Sequence, residues 1–487
     1  MSGSQSRTPL VDAWERARAR ELRPMQIPGH KYRYRRDGQR LDGQRLDGEG
    51  SIPGFALLAQ LIGDDIALQG GMDDNALSGG FLPVAEQLWA AAVGATHARF
   101  LVGGSSQGNL GMVPAVVADG QRIAIDRSSH RSVLGGLVIA GAQPVWVQPT
   151  IHPEFGIPLG VDVSALSALD DLRGLLVTTP SYVGTLANTA ALAHACHSRG
   201  LPLLVDQAWG AHLGFRPGAG AIGQGADVSV TSVHKTLMGY SQTAVVTMHS
   251  DLIDLAALDR CLDLVATTSP SGTLLASIDA TRAVLVEAGS TLWERVFSLA
   301  DQMRAALRQE PGVVVLDEQE LGQPCDPLKV TVWLPRTGAF GPAVAELLRA
   351  AGIGLEAADT DTLVLTISPA DSADDVQAAT SAVRAAIDAN RATPRPPVPT
   401  EVWQVVPEVA LTPRSAFMAP RRRLRLVDAV GEVSAEQFCP YPPGVPLLAP
   451  GERVTQEIVE AIASASRVGR VAYCSDPTTQ TIEVVAS

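Results

Sequence analysis

The chain has 487 residues, 46% of them hydrophobic and 18% charged, and carries a net charge of −13. That length exceeds what one simple hydrophobic core serves, so we expect two to four domains. The acidic balance argues against a nucleic-acid surface or an anionic membrane as a partner, and the composition is that of an ordinary globular protein.

The five cysteines are scattered, odd in number and without a CxxC pair. This pattern favours a reducing compartment over a disulfide framework. The N-terminal stretch lacks the apolar segment of a signal peptide, and no uninterrupted apolar run approaches the length of a membrane span. We therefore expect a soluble, cytoplasmic protein.

Residues 1–55 form a predicted N-terminal arm. It holds a predicted helix at Leu10–Leu22 and the segment Met25–Lys31. A short unit then occurs twice in succession, at Gln39–Gly43 and Gln44–Gly48. Because this unit is too short for a solenoid repeat, it is interpreted as a slipped insertion in a surface loop.

Residues 56–300 alternate between strand and helix patterns, which predicts a large α/β domain around a mostly parallel, doubly wound sheet. The strands lack period-two alternation, which indicates burial on both faces. In such sheets a ligand binds beyond the carboxyl ends of the strands. The predicted strands are His97–Val102, Arg122–Asp126, Gln143–Gln148, Gly174–Thr178, Leu201–Val205, Asp227–Thr231 and Thr243–Met248; the predicted helices include Leu82–Val93, Leu186–Arg199 and Leu274–Glu287.

Residues 301–395 change in character and predict a small α+β domain. Its predicted strands are Val313–Leu316, Lys329–Trp333 and Thr362–Thr366, and its predicted helices are Ala343–Ala351 and Ala373–Ala389. A proline-rich linker, Asn390–Thr400, then leads into a C-terminal α+β domain. The predicted bounds of that domain, 396–487, include the last residues of the linker.

A lysine and an aspartate follow two of the predicted strands. Asp206 ends the strand at Leu201–Val205, and Lys235 follows the strand at Asp227–Thr231. A lysine in such apolar surroundings is costly to bury unless it has a function. The pair suits pyridoxal phosphate (PLP), because the lysine amine forms a Schiff base with the aldehyde while the carboxylate keeps the pyridine nitrogen protonated. Taken alone, Asp206 could equally cap a loop.

Further candidates surround this pair. Ser105, Ser106 and Gln107 lie in a glycine-flanked turn before a predicted helix, where N–H groups and hydroxyls can bind phosphate. An ordinary strand-to-helix turn explains that segment equally well. His130 follows another strand and could stack on the cofactor ring, and Ala208 is small enough to lie beneath it. His234 could bind phosphate or carry a proton, although both histidines could also be plain loop residues.

Two motif matches are rejected. The glycines of Gly218–Gly223 match a dinucleotide fingerprint, but the segment precedes a strand and opens no helix. The segment His194–His197 contains metal-ligand residue types but has no partner cluster in the sequence, so no metal site is expected.

These motifs together resemble the Orn/Lys/Arg decarboxylase family of fold-type-I PLP enzymes, in its compact form without an N-terminal wing domain. The resemblance runs along almost the whole chain. It is carried by the segments Pro28–Lys31, Gly104–Ser106, Arg127–Ser132, Pro180–Gly184, Val205–Ala208, Ser232–Lys235, Thr268–Ser271, Ser277–Asp279 and Tyr441–Glu452.

The resemblance implies a decarboxylase that converts arginine, lysine or ornithine to the corresponding amine, in the metabolism that supplies polyamines. It implies that Lys235 binds the cofactor, Asp206 pairs with its ring nitrogen and His130 stacks on its ring. Ser105, Ser106, Ser232 and His234 would hold the phosphate. Thr268 and Ser269 would reach the cofactor of a second subunit, which implies a homodimer with shared active sites.

The sequence departs from the family at several positions. Gln207 and Trp209 stand where the family often has glutamate and histidine, which leaves reaction type and substrate open. A transaminase, an oxidase or an eliminating or cyclising PLP enzyme on an arginine-like substrate is the alternative, because one fold hosts many reactions. A non-catalytic regulatory homologue is a third alternative, against which the retention of Lys235 and Asp206 argues. Four acids remain open as candidates to recognise the substrate side chain: Asp73, Asp74, Glu356 and Glu436.

Overall fold

The structure is a computed structural model that describes residues 5–19, 65, 80–168, 170–398, 403, 405–441, 444–467 and 471–486. The predicted repeat at residues 39–48 and the segment at residues 25–31 lie outside the described residues. The first helix, α1, spans Pro9–Ala19 and overlaps the helix predicted at Leu10–Leu22.

A seven-stranded sheet forms the centre of the large α/β part, and each of its strands overlaps a predicted one. These strands are β1 (His97–Leu101), β2 (Arg122–Asp126), β3 (Gln143–Val147), β6 (Leu172–Thr178), β7 (Leu203–Asp206), β8 (Val228–Ser232) and β9 (Ala244–Met248), and a separate ribbon pairs β4 (Thr150–Ile151) with β5 (Pro158–Gly160). The order is β1-β9-β8-β7-β6-β2-β3. Strands β3, β2, β6, β7 and β8 run parallel, whereas β9 is antiparallel to β8 and β1 to β9. The prediction of a mostly parallel sheet is confirmed.

Helices cover both faces of this sheet. They are α2 (Phe81–Val93), α3 (Gly104–Val116), α4 (Ser132–Ala140), α5 (Thr189–His197), α6 (Val233–Thr236), α7 (Leu255–Leu264) and α8 (Gly272–Leu307). One core packs α3, α4 and α7 against the strands, and another packs α5 against them. Strands β7, β8 and β9 are buried along their whole length, as their unbroken apolar pattern predicts.

The longest helix, α8, connects the large sheet to a second sheet. It has 36 residues, so it extends beyond the predicted end at Glu287 and runs through residue 300, where the sequence pattern places a domain boundary. Trp293 and Val296 on this helix are buried in a core that also contains Val330 of the second sheet. Burial of this apolar face outweighs Gly289, a residue type that costs a helix about 1 kcal/mol relative to alanine.

The second sheet has four antiparallel strands in the order β10-β11-β13-β12. The strands are β10 (Val314–Leu316), β11 (Lys329–Trp333), β12 (Ala357–Ala358) and β13 (Thr362–Thr366), with the helices α9 (Glu318–Leu321), α10 (Gly341–Ala350) and α11 (Ala373–Ala389). Helix α11 begins with a capping box formed by Ser372 and Asp375. The predicted α+β arrangement of this part is confirmed.

The C-terminal part is a smaller α+β unit with its own apolar core. Its elements are α12 (Pro413–Met418), β14 (Arg421–Arg425), β15 (Cys439–Tyr441), α13 (Gln456–Arg467), β16 (Val471–Tyr473) and β17 (Thr481–Val485). Strand β14 pairs with β17 and β15 with β16, both antiparallel. Leu447, Ile458 and Val484 lie in the core of this unit.

A buried ion pair joins this C-terminal unit to the large sheet. Two nitrogens of Arg127, just after β2, donate to the Glu452 carboxylate at 2.5 and 3.0 Å, and Arg127 also donates to Leu447 O at 3.1 Å. The guanidinium stacks 4.6 Å from the centre of the Trp146 ring. The loop that carries His130 is therefore anchored to the C-terminal unit. None of the helices in the described ranges combines the length and apolarity that a membrane crossing requires.

Candidate active site

Lys235 lies on α6, the single helical turn that follows β8. Its Nζ lies 4.1 Å from the centre of the Trp209 ring. Burial lowers the pKa of Lys235, and the nearby Asp206 and Glu356 carboxylates oppose this shift without cancelling it. A larger share of the amine is therefore in the neutral, nucleophilic form than in an exposed lysine.

Asp206 is the last residue of β7 and is only 1% exposed. Its Oδ2 accepts a hydrogen bond of 2.7 Å from Asn109 Nδ2, and its Oδ1 accepts one of 3.1 Å from the backbone N–H of Ala208. Ala208 is itself buried. Two donors thus fix the direction of a carboxylate at the carboxyl end of the sheet, as the sequence predicts for this residue.

A hydrogen-bonded chain links Asp206 to His130. Asn109 Nδ2 also donates to Ser132 Oγ at 2.9 Å, and Ser132 Oγ lies 2.8 Å from His130 Nδ1. The backbone N–H of Ser132 donates to the same nitrogen at 3.3 Å, so Nδ1 is an acceptor and the hydroxyl proton of Ser132 points to it. The proton of the neutral imidazole is thereby assigned to Nε2.

His130 is held in its neutral form. Burial lowers its pKa, and the positive charges of Lys235 and Arg131 lower it further, against the opposing effect of Asp206. A neutral imidazole ring is suited to stacking on an aromatic ligand, because it adds no positive charge to a site that already contains lysine side chains.

The N-terminus of α3 provides a cradle for an anion. The backbone of Gly104 has a φ of +71°, and a Cβ at this position would meet no atom within 4 Å. Ser105 and Ser106 follow in the first turn, where free N–H groups and the helix dipole attract a phosphate. The side chain of Gln107, predicted to bind the cofactor, closes the turn instead: its oxygen accepts a hydrogen bond of 3.0 Å from Gly103 N.

The connection between β8 and β9 brings the lysine close to this cradle. Gln242 O accepts a hydrogen bond of 2.7 Å from Gly104 N, and Thr243 O accepts one of 3.0 Å from Val233 N. His234 Nδ1 lies 2.9 Å from the same Thr243 oxygen. Because a carbonyl only accepts, Nδ1 carries a proton in this contact, which fixes the orientation of the His234 ring.

Buried polar atoms in this region fit a PLP cofactor. Ser232 Oγ and Asn109 Oδ1 are both buried and have no hydrogen-bond partner among the described residues. Such atoms are costly unless a ligand or water satisfies them. Together with the open space at Gly104 and the buried amine of Lys235, they match a group that has a phosphate at one end and an aldehyde at the other.

Thr268 and Ser269 are exposed on the turn before α8. Ser269 N donates to the hydroxyl of Thr267 within the same turn, at 3.2 Å. Their predicted contact with the cofactor of a second subunit stays a prediction.

The sequence patterns missed two residues of this site. Asn109 lies inside α3, where an amide looks like any other polar helix residue. Lys329 begins β11, only 3% exposed, and its Nζ lies 3.7 Å from the centre of the Trp209 ring. A lysine that opens an apolar run, Lys329–Trp333, is the signal that could have revealed it.

The structure also distinguishes among the four acids that the sequence leaves as candidates to recognise the substrate side chain. Glu436 accepts hydrogen bonds from Ser475 and from Glu483 N, so it has a structural role within the C-terminal unit. Glu356 interacts electrostatically with Lys235 and Lys329 and thus lies near the site. Asp73 and Asp74 lie outside the described residues.

Comparisons with known proteins identify the family. Residues 59–333 match the major domain of the Orn/Lys/Arg decarboxylases, and residues 387–470 match their C-terminal domain. An arginine decarboxylase of Bacillus subtilis is 32% identical over 476 residues, which cover 94% of each chain. An arginine decarboxylase of Halalkalibacterium halodurans is also 32% identical, over 99% of this chain and 98% of the relative.

Solved structures share the fold. A lysine decarboxylase of Francisella novicida superposes with a TM-score of 0.80 at 18% identity, covering 98% of this chain and 81% of that one. The constitutive lysine decarboxylase of Escherichia coli has a TM-score of 0.78 at 19% identity, over 99% of this chain and 82% of that one. The match of both domains and the full-length relatives show that the chain belongs to the Orn/Lys/Arg decarboxylase family, as a PLP-dependent decarboxylase of basic amino acids.

Proposed function

We propose that this enzyme decarboxylates L-arginine to agmatine and carbon dioxide. One observation carries the choice of arginine. The relatives named arginine decarboxylase are 31–32% identical over 92–99% of this chain, whereas those named lysine decarboxylase are 23–25% identical over 77% of it. The agmatine formed would supply polyamine synthesis.

In this proposal Lys235 would hold the cofactor through Nζ, and its lowered pKa favours the neutral amine that this requires. The bound cofactor supplies an electron sink for the carbon that loses carbon dioxide. Asp206, held by Asn109, would keep a proton on the ring nitrogen. Neutral His130 would stack on the ring. A proton from Lys235 or His234 completes the amine at the substrate Cα.

The N-terminus of α3 would hold the phosphate of the cofactor. Ser105 and Ser106 offer backbone N–H groups and hydroxyls, and the hydroxyl of Ser232 lacks another partner among the described residues. His234, anchored through Nδ1 to Thr243 O, would complete this phosphate site. Ala208, whose N–H donates to Asp206, would lie beneath the ring.

Glu356 is proposed to bind the guanidinium of the substrate. It lines a cavity of about 480 Å³ that also contains Glu346, Asp359 and Tyr441. Glu346 pairs with Arg349, and Asp359 accepts hydrogen bonds from the backbone of residues 361 and 362. For Glu356, no ion pair forms within the described part of the chain, so its carboxylate is free to receive a cation.

A pair of matched variants tests this role. Glu356→Gln should raise KM for arginine about 10- to 100-fold, because a charge-assisted contact to the guanidinium is lost. Glu346→Gln, in the same cavity but engaged with Arg349, should leave KM nearly unchanged. Equal effects of the two variants would remove Glu356 from the role.

The substrate itself is tested by one incubation. Purified, PLP-reconstituted protein is given arginine, lysine and ornithine separately, and carbon dioxide and amine are followed by mass. Agmatine formed in step with carbon dioxide, at the highest kcat/KM, supports the proposal. Preferential cadaverine or putrescine formation would transfer it to lysine or ornithine, and no carbon dioxide from any of the three would refute it.

We further propose a homodimer whose subunits share active sites through Thr268 and Ser269, located in the cytoplasm. Large apolar side chains are exposed in this region: Leu264, shortly before Thr268 in the sequence, is 72% exposed, and Tyr240, whose backbone N–H donates to Ser277 Oγ on α8, is also exposed. The five free cysteines suit a reducing compartment. Sedimentation of the PLP-loaded protein at micromolar concentration should give a dimer or a multiple of it; a monomer would contradict shared sites.

A further inference from the structure

Lys329 brings a second buried amine to the active site from a different sheet. Its Nζ lies 3.7 Å from the centre of the Trp209 ring, and Nζ of Lys235 lies 4.1 Å from the same centre. The two lysines are far apart in sequence, yet one indole contacts both. Lys329 therefore belongs to the site around Lys235, although it starts a strand of the second sheet.

The side chain of Lys329 is held in place from several directions. Its Nζ donates to Thr366 Oγ1 at 2.9 Å, and its backbone oxygen accepts from Arg304 at 2.6 Å. At Gly184 an added Cβ would come within 2.8 Å of Lys329 Cβ, so the stem of the lysine is closely packed. A fixed ammonium of this kind is pre-organised for a ligand.

The charge of this ammonium is incompletely compensated. No carboxylate forms an ion pair with Lys329 in the part of the chain that the structure describes. Burial lowers the pKa of Lys329 to about 8; Glu356 and Asp326 oppose the shift from a distance, and Lys235 adds to it. A buried cation without a paired anion is costly, and such groups concentrate where a ligand supplies the missing charge.

We propose that Lys329 binds the α-carboxylate of the substrate amino acid. The amino group of the substrate must come to Lys235, and its carboxylate is attached to the neighbouring carbon. Trp209 places Lys329 within reach of that position. The neutral carbon dioxide and the amine product carry no such anion, so the contact exists for the substrate alone. The proposal rests on the decarboxylase function proposed above.

This role predicts a specific split between kinetic constants. The contact stabilises bound substrate and is lost as the carboxylate leaves, so its removal should raise KM while kcat stays the same or rises. A purely structural role would lower kcat and would weaken substrate and product alike.

The test compares arginine with agmatine, which lacks the carboxylate, on the PLP-loaded protein. Lys329→Met should raise KM for arginine about 10- to 100-fold and leave the inhibition constant of agmatine within about threefold. Lys329→Arg should restore most of the arginine affinity, and Thr366→Val, which frees the ammonium, should raise KM for arginine more mildly. Cofactor absorbance and circular dichroism verify that each variant is folded and loaded.

Two results would overturn the proposal. One is an equal loss of affinity for arginine and agmatine in Lys329→Met, and the other is an unchanged KM for arginine in that variant. If Lys329→Met does not fold, Thr366→Val decides by the same comparison of the two ligands. A failure of the proposed decarboxylase function would be recognised separately, because the unsubstituted chain would then release no carbon dioxide from arginine.

Discussion

Asn109 offers the sharpest test of how the site around Asp206 works. Its Nδ2 donates to Asp206 Oδ2 at 2.7 Å and to Ser132 Oγ at 2.9 Å. Asn109→Leu replaces the amide with an apolar side chain of similar size and removes both hydrogen bonds. A hydrogen bond to an ionised carboxylate is worth roughly 1.5–3 kcal/mol, and each 1.4 kcal/mol corresponds to tenfold. We therefore expect kcat to fall about 10- to 100-fold, because the Asp206 carboxylate loses one of the two donors that hold it in position for the ring nitrogen.

The assay follows carbon dioxide from carboxyl-labelled arginine on protein with equal cofactor content. The visible absorbance of the cofactor should shift in Asn109→Leu, while the circular dichroism of the backbone stays the same. Ser132→Ala is the matched control: it keeps the bond from Asn109 to Asp206 and removes only the neutral hydrogen bonds of Ser132 Oγ, to Asn109 and to His130. Each is worth about 0.5–1.5 kcal/mol, so kcat should fall about 2- to 10-fold. A kcat for Asn109→Leu within threefold of the natural chain, or an equal loss in both variants, would refute this reasoning.

Three further perturbations address the cofactor acid, the cofactor lysine and the contact with the C-terminal unit. Asp206→Ala should lower kcat by orders of magnitude at unchanged backbone circular dichroism; near-normal turnover would exclude it as the cofactor acid. Lys235→Ala should allow the cofactor to be removed by dialysis under conditions in which the natural chain stays yellow, and a variant that retains its visible band would argue for another anchor. Arg127→Met leaves Glu452 buried and unpaired, so it should destabilise the fold by about 3–5 kcal/mol in denaturant titrations followed by Trp146 fluorescence, and the double change with Glu452→Met should recover most of that loss. A double variant no more stable than Arg127→Met alone would show that the loss of stability does not come from the unpaired Glu452 carboxylate.

Much of the fold could be predicted because its strands are buried on both faces. A strand such as β8 must be apolar throughout, so it appears in the sequence as an unbroken run with a clear end. That end, in turn, placed Asp206 and Lys235 at the carboxyl edge of the sheet. Helix α8 is longer than the predicted Leu274–Glu287, because its continuation past Gly289 depends on the burial of Trp293 and Val296, which the sequence pattern does not reveal.

The parts of the site that could not be predicted depend on contacts between distant segments. Asn109 reaches Asp206 from another element, and nothing in the spacing of the two residues indicates their hydrogen bond. Lys329 approaches Trp209 from a different sheet. Side-chain direction decides both contacts, and direction depends on how the sheets and helices pack together. For the same reason, the choice of Glu356 over Glu436 as the acid that recognises the substrate side chain depends on the structure and not on the sequence.

The connection between β8 and β9 has a consequence for how this protein can change in length. Its hydrogen bonds to Gly104 and Val233 tie the cradle at α3 to the turn that carries Lys235. A cofactor has a fixed size, so an inserted or deleted residue between 233 and 243 would move one of its attachment points relative to the other. Functional variants should therefore tolerate substitutions in this connection but not changes in its length. A library of single-residue insertions scored for turnover would test this expectation, with insertions in the repeat at residues 39–48, interpreted from the sequence as a surface-loop insertion, for comparison.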